Sequence, residues 1–130
     1  MTTNLSSQLR GDPFDYSNAL QGGWQASMFT GGVAFTLRTE LPPTSQHDET
    51  DTYVPGPTNT GSFVDQGTVA TGEITFSDST NFRVFFPSSR TTDWPTRWLF
   101  WDLVGTVDAD HSYTIDSGKI LITSDVKRAP

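Results

Sequence analysis

The stretch Arg97 to Val107 constrains the fold more than any other part of the chain. Its side chains alternate with a period of two: Leu99, Trp101 and Leu103 fall on one face, and Trp98, Phe100, Asp102 and Val104 on the other. A helix would scatter these residues around its circumference, whereas a strand sorts them into two rows. Both rows are largely apolar, so the strand is either central in its sheet or covered by a partner on one face. The remaining sequence suits further strands. Thr occurs twenty times and Ser thirteen times, against six Ala, three Glu and two Lys. Good helix formers are scarce, while β-branched and aromatic residues are plentiful. Eleven Gly and eight Pro supply turns.

Shorter alternating runs predict the neighbours of this strand. Trp24 to Phe29 sets Trp24, Ala26 and Met28 against Gln25 and Ser27, and Thr30-Gly31-Gly32 reads as a hairpin turn into a second strand over Val33 to Leu41. That second strand sets Val33, Phe35 and Leu37 against Ala34, Thr36 and Arg38. Thr68 to Phe76 places Ala70, Gly72, Ile74 and Phe76 on one face. Asp78-Ser79-Thr80 then turns the chain into Asn81 to Phe86, which Pro87 stops. A polar connection over Ser88 to Thr96 holds Trp94-Pro95. Ser112 to Ile115, the turn Asp116-Ser117-Gly118 and Lys119 to Thr123 read as a last hairpin. A short edge strand fits within Leu9 to Phe14, because Pro13 has no N–H for a central ladder. Trp24, Trp101 and Trp98 are assigned to the core, where aromatics are the main building material, and Trp94 is left open between core and surface. Seven or eight short strands in one domain over residues 1–130 predict an antiparallel β-sandwich or a partly open barrel.

One segment breaks the pattern. Residues 42–61 carry Pro42, Pro43, Pro55 and Pro57 with Asp48, Glu49 and Asp51, and neither Lys nor Arg. A stretch of this length without periodicity exceeds an ordinary connection. It is expected to be either a docking loop, with Tyr53-Val54 as its one apolar point and its carboxylates selecting a basic surface, or a solvated loop without a partner.

The composition excludes several kinds of chemistry. With no Cys, the chain has neither disulfides nor thiolate metal sites, and His47 and His111 are its only imidazoles. A net charge of -7 argues against a nucleic-acid-coating protein. No apolar run reaches the length of a membrane span, and the polar Met1 to Gln8 does not have the character of a signal peptide. A catalytic centre needs a base, a nucleophile or acid, and a stabiliser held together, and neither His lies in such a context. No enzyme activity, cofactor or metal is therefore expected. The clusters Asp48-Glu49-Thr50-Asp51 and Asp108-Ala109-Asp110 hold oxygen ligands without the spacing of a calcium loop. Arg10-Gly11-Asp12 and the formal glycosylation sequon Asn4-Leu5-Ser6 are too short to assign a role.

Several segments resemble one family in order and spacing over residues 9–128. Arg10-Gly11-Asp12-Pro13-Phe14 is similar to the "RGDTF" opening of small all-β structural proteins of tailed bacteriophages. Val33-Ala34-Phe35-Thr36-Leu37-Arg38-Thr39 resembles their second stretch. Thr92-Asp93-Trp94-Pro95 with Arg97-Trp98-Leu99-Phe100-Trp101-Asp102-Leu103 resembles their "ADWPxGxYxWDL" segment, and Asp125-Val126-Lys127-Arg128 their closing "DVTR". The long 42–61 segment and Gly22-Gly23 depart from that pattern. The resemblance is to baseplate upper-protein and fibre attachment domains. It implies an immunoglobulin-like sandwich and a non-enzymatic virion part assembled in the host cytoplasm, where a Cys-free chain is suited to reducing conditions. Its partners would be other virion proteins and further copies of itself. A capsid decoration protein and a carbohydrate- or receptor-binding module are the alternatives. The expected contact residues are Asp48, Glu49, Asp51, Tyr53, Trp94, Trp98 and Phe100.

Overall fold

The computed structural model describes residues 3–40 and 63–124. They form eight strands: β1 Gln8–Leu9, β2 Phe14–Ala19, β3 Gly32–Arg38, β4 Phe63–Thr68, β5 Ile74–Phe76, β6 Asn81–Phe86, β7 Trp98–Asp108 and β8 His111–Thr123. One sheet has the order β1-β8-β7-β3-β4 and the other β2-β6-β5. The consecutive pairs β3/β4, β5/β6 and β7/β8 stay within a sheet, while the chain changes sheets between β1 and β2, β2 and β3, β4 and β5, and β6 and β7. This Greek-key path places β2, β6 and β5 in one layer and β8, β7, β3 and β4 in the other, the strand arrangement of an immunoglobulin-like sandwich with one added edge strand. The fold is thus the all-β sandwich expected. Its departure from a fully antiparallel plan is β1, which pairs parallel to β8.

The inner faces follow the alternation. Phe35 and Leu37 of β3, Leu99, Trp101 and Leu103 of β7, and Ile120 and Ile122 of β8 are buried. They meet Phe14, Val84, Phe86 and Ile74 in a single hydrophobic cluster. Phe35 stacks on Trp101 at 5.3 Å, and Phe14 lies 5.7 Å from both Phe35 and Trp94. Strand β7 is central in its sheet, flanked by β8 and β3.

Four local expectations are corrected. Trp24 to Phe29 forms no strand: the segment holds a 3-10 turn over Ala26–Met28, Met28 is exposed, and β3 pairs with β4 and β7 instead. Gly22 and Gly23 adopt positive φ and turn the chain, and Phe29 then inserts against Gly105, where a side chain would overlap its ring. Second, Thr68 to Phe76 is two strands in different sheets. The chain turns at Gly72, whose N–H donates to the Thr68 carbonyl, while Glu73 accepts from the Thr68 N–H and the Thr71 hydroxyl. Third, Asp116-Ser117-Gly118 is not a turn. It lies inside β8 opposite Trp101, Asp102 and Leu103, and the turn is at residues 109–110. A bulge there sets Asp116 opposite Leu103 and Thr114 opposite Val104, so that both Ile115 and Asp116 are buried. Fourth, the edge strand near the start is Gln8–Leu9, and Phe14 opens β2, a strand with too few apolar residues to show an alternation.

The start of the chain is tied to β8 beyond β1. Thr3 N–H donates to the Ser117 carbonyl at 2.7 Å and Leu5 N–H to that of Lys119 at 3.0 Å. The Thr3 hydroxyl donates to the buried Asp116 carboxylate at 2.8 Å. Gly118 permits this approach, because a Cβ there would overlap the Thr3 carbonyl. Gly118→Ala is therefore expected to free residues 3–9 while the two sheets persist. Hydrogen-exchange mass spectrometry checks this: amides of residues 3–9 should lose protection and those of β6 and β7 should keep it.

Candidate docking surface

The outer face of the five-stranded sheet collects the odd side chains out. Strand register places Lys119, Phe100, Arg38 and Phe63 in one row across four strands, with Trp98 opposite Leu121 beside it. Phe63 is 51% and Trp98 49% exposed, and Phe100 is half-buried. The Lys119 ammonium lies over the Trp98 ring, 5.2 Å from its centroid. Exposed aromatics on one sheet face are unusual for a surface meant only for water.

The next row toward the middle of the sheet, Ser117, Asp102, Thr36 and Gln66, is polar, and Arg38 reaches into it. Arg38 Nη1 pairs with Asp102 Oδ2 at 3.2 Å, with both side chains largely buried. Gln66 Nε2 donates to Thr36 Oγ1 at 2.9 Å. Arg38, Thr36 and Gln66 line a concavity with Phe63 and Val104. A buried ion pair of this kind fixes geometry more than it adds stability.

The β7–β8 tip closes the opposite end of the sheet. Asp108 Oδ1 accepts the Asp110 N–H at 2.8 Å and lies 2.7 Å from His111 Nδ1. The His111 bond holds the Asp108 carboxyl below the ordinary range, and Asp108 in turn raises His111. The Tyr113 ring sits between His111 at 6.5 Å and Trp24 at 5.2 Å, and Trp24 continues the column onto Phe29.

The expected contact residues divide three ways. Trp98 and Phe100 do share one exposed face. Trp94 is corrected: its ring is 1% exposed, packs against Phe14 and Phe86, and donates its Nε1–H to Asp65 Oδ2 at 3.0 Å. It is withdrawn from any contact surface because the helical turn at Ser88–Thr91 folds the connection back over the sandwich. Asp48, Glu49, Asp51 and Tyr53, with the 42–61 segment, lie outside the described residues. Sequence reading missed Phe63 and Arg38. Arg38 was visible as the charged member of the Ala34/Thr36/Arg38 row, but Phe63 gains its place only from the β3–β4 register.

Two carboxylates that come together, Asp65 and Glu73, are both held by Arg90. Burial pushes the Glu73 carboxyl up, but hydrogen bonds from Thr71, the Thr68 N–H and Arg90 outweigh it and hold the group at about 2. So acidic a carboxyl stays ionised near neutral pH and is a poor proton donor. Among the described residues no group of three His, Asp or Glu is arranged to hold a metal ion. No helix among them is long and apolar enough to cross a membrane. Neither a scan against protein-family models nor a search of curated proteins finds a match to this chain.

Proposed function

We propose that the chain is a non-enzymatic docking module, a structural part of the tail, baseplate or fibre region of a bacteriophage virion. One observation carries the docking role: Trp98 and Phe63, each about half exposed, stand with Phe100 on one face of the five-stranded sheet. Trp is among the residues most often found to anchor protein interfaces, and this face offers an exposed Trp98 beside a concavity lined by Phe63, Val104, Thr36 and Gln66. The virion assignment rests on the sequence resemblance. Its Trp94 and Trp101 are buried in the core, so the resemblance bears on the fold more than on the choice of neighbour. A saccharide platform is the weaker reading, since Trp94 is buried and Lys119 lies over the Trp98 ring. A capsid decoration role differs from a tail role in copy number.

The test uses purified particles of the virus that encodes the chain. Quantitative gel densitometry should find it at tail-like copy numbers, and hundreds of copies would move it to the capsid. Trp98→Ser and Phe63→Ser should each cut incorporation by roughly tenfold or more, as expected for interface anchors worth about 2 kcal/mol. Their melting temperatures should hardly change, because both side chains are half exposed. Normal incorporation of both variants, or absence of the chain from particles, overturns the proposal.

A further inference from the structure

The two sheets have four outer edges, and three of them are largely closed. On β4, the Val69 N–H donates to the Val33 carbonyl, so odd residues face β3 and even ones face outward. Of the outward groups, the Gln66 N–H donates to Asp65 Oδ1 and the Gln66 carbonyl accepts from Arg90 Nη2. The Thr68 N–H donates to Glu73 Oε1, and its carbonyl accepts from the Gly72 N–H. On β1, the Leu9 carbonyl accepts from the Asp12 N–H and from Gln8 Nε2. On β5 the outward residues are Ile74, which is buried, and Phe76, which is half-buried.

The fourth edge, β2, is open. The Leu20 N–H donates to the Thr80 carbonyl at 2.7 Å, which turns the even residues of β2 toward β6 and the odd ones away. Ala19 is satisfied locally, by Asn18 Oδ1 and Gln21 Nε2. Asp15 and Ser17 are exposed, and their backbone N–H and C=O groups bond to nothing among the described residues. The pairing with β6 has no bulge, and β2 contains neither Pro nor Lys. An edge left without any of these protections is a template for another strand.

Four free groups at this spacing are complementary to themselves. When a second β2 runs antiparallel with Tyr16 opposite Tyr16, Asp15 of each copy faces Ser17 of the other. Each facing pair exchanges two hydrogen bonds, and all four groups of each copy are used. Charge fits the same arrangement. Strands β2, β5 and β6 carry one anion, Asp15, and one cation, Arg83, which meet at 2.9 and 2.7 Å. Arg83 pairs with Ser17, so the row across the joint reads Arg83, Ser17, then Asp15 of the other copy. Each cation thus shares a row with the other copy's anion, with only a small Ser between them. The two Asp15 are diagonal, and each already has its own Arg83. Asp12 falls opposite Leu20, and Asp78 lies in the β5–β6 turn, so neither faces a like charge.

We propose that β2 is a homodimerisation edge, joining two copies of this chain about a two-fold axis at Tyr16. The joined sheet has six strands in the order β5-β6-β2-β2-β6-β5. The contact is isologous and closes at two copies. It uses the sheet that does not carry Trp98, so it is independent of the docking role of that face.

Sedimentation velocity on the full chain, from about 10 μM to about 1 mM, should show a monomer–dimer equilibrium. Ser17→Pro removes an N–H that the β2–β6 ladder does not use. Two of the four bonds across the joint go with it, so dimerisation should weaken by about thirtyfold. Ser17→Ala keeps the amide and should dimerise like the wild type. Circular dichroism checks that both variants fold. Amide exchange followed by NMR needs no variant, and it decides alone if Ser17→Pro does not fold. Protection of the Asp15 and Ser17 amides should rise with protein concentration, whereas Tyr16 and Asn18, which face β6, should be protected throughout. A wild type that stays monomeric to about 1 mM overturns the inference. So does a folded Ser17→Pro that dimerises like the wild type, or a dimer whose Asp15 and Ser17 amides stay unprotected.

Discussion

Trp101→Ala should be the most damaging single substitution in the chain. The ring is 2% exposed, stacks on Phe35 at 5.3 Å and meets the edge of Tyr16 at 5.7 Å. Truncating such a residue costs roughly 3–5 kcal/mol through lost burial and the cavity left behind. For a domain of this size that lowers the melting temperature by roughly 10 °C or more. A sharper comparison lies in the two buried indoles. Trp101 Nε1 has no hydrogen-bond partner, whereas Trp94 Nε1 donates to Asp65. Trp101→Phe removes a buried N–H that gains nothing, while Trp94→Phe also breaks a bond to a carboxylate, worth about 1.5–3 kcal/mol. Urea denaturation should therefore find Trp94→Phe the less stable of the two. Equal midpoints would mean that the Asp65 contact contributes little.

Arg90→Ala should be the second large loss, and its signature is acid dependence. The guanidinium donates to Asp65 through Nε at 3.1 Å and Nη2 at 2.6 Å, and to Glu73 through Nη1 at 3.0 Å. It also lies 4.9 Å from the centre of the Phe86 ring. Its removal leaves two mostly buried carboxylates without a countercharge. A fully buried pair broken in this way costs about 3–5 kcal/mol; with Arg90 35% exposed the expectation is about 2–4. Lys should not restore it, since an ammonium cannot bridge both carboxylates with the same fork. Glu73 titrates at about 2 in the folded chain, against an ordinary 4.5. Its contribution is thus complete above about pH 4.5 and is lost as pH falls through about 2. The wild type should lose stability across that window, and Arg90→Ala should lose less, because only the Thr71 and Thr68 bonds remain to be broken. Parallel urea midpoints at pH 5 and pH 3 read the difference directly; identical slopes would show that Arg90 does not set the Glu73 titration.

The parts of the fold legible in the sequence are those with one buried face and steady alternation. Strands β3, β6 and β7 meet that condition: β6 and β7 fall within one residue of their expected limits, and β3 ends three residues early, at Arg38. Failure came where alternation arises for another reason. In Trp24 to Phe29, two positive-φ glycines and the seat of Phe29 on Gly105 decide the conformation, and both are tertiary facts. In β8, Asp116-Ser117-Gly118 has the composition of a turn, yet each residue answers a neighbour: Asp116 the Thr3 hydroxyl, Ser117 the Thr3 N–H, and Gly118 the approach of the Thr3 carbonyl. The candidate surface was legible in proportion to its distance along the chain. Trp98 and Phe100 lie on one strand and could be read together. Phe63 and Lys119 reach them only through the pairing of strands far apart in sequence. Trp94 was misplaced because nothing local shows that Asp65 would accept its N–H.

The parallel pairing of β1 with β8 also sets the order in which the molecule can be made. Gln8 finds its ladder partner in Ile122. During synthesis, β1 must wait for β8. Until β8 emerges, β7 has one bare edge and residues 3–9 have no sheet to join. Closure therefore depends on the distant pairing of Gln8 with Ile122, and topologies dominated by such pairings fold slowly, in about milliseconds to seconds. The waiting hairpin edge is the species most exposed to wrong pairing with a neighbouring nascent chain. A cell making many copies at once would meet that hazard at every ribosome, and lowering the growth temperature should raise the soluble yield more than adding a chelator or a reductant.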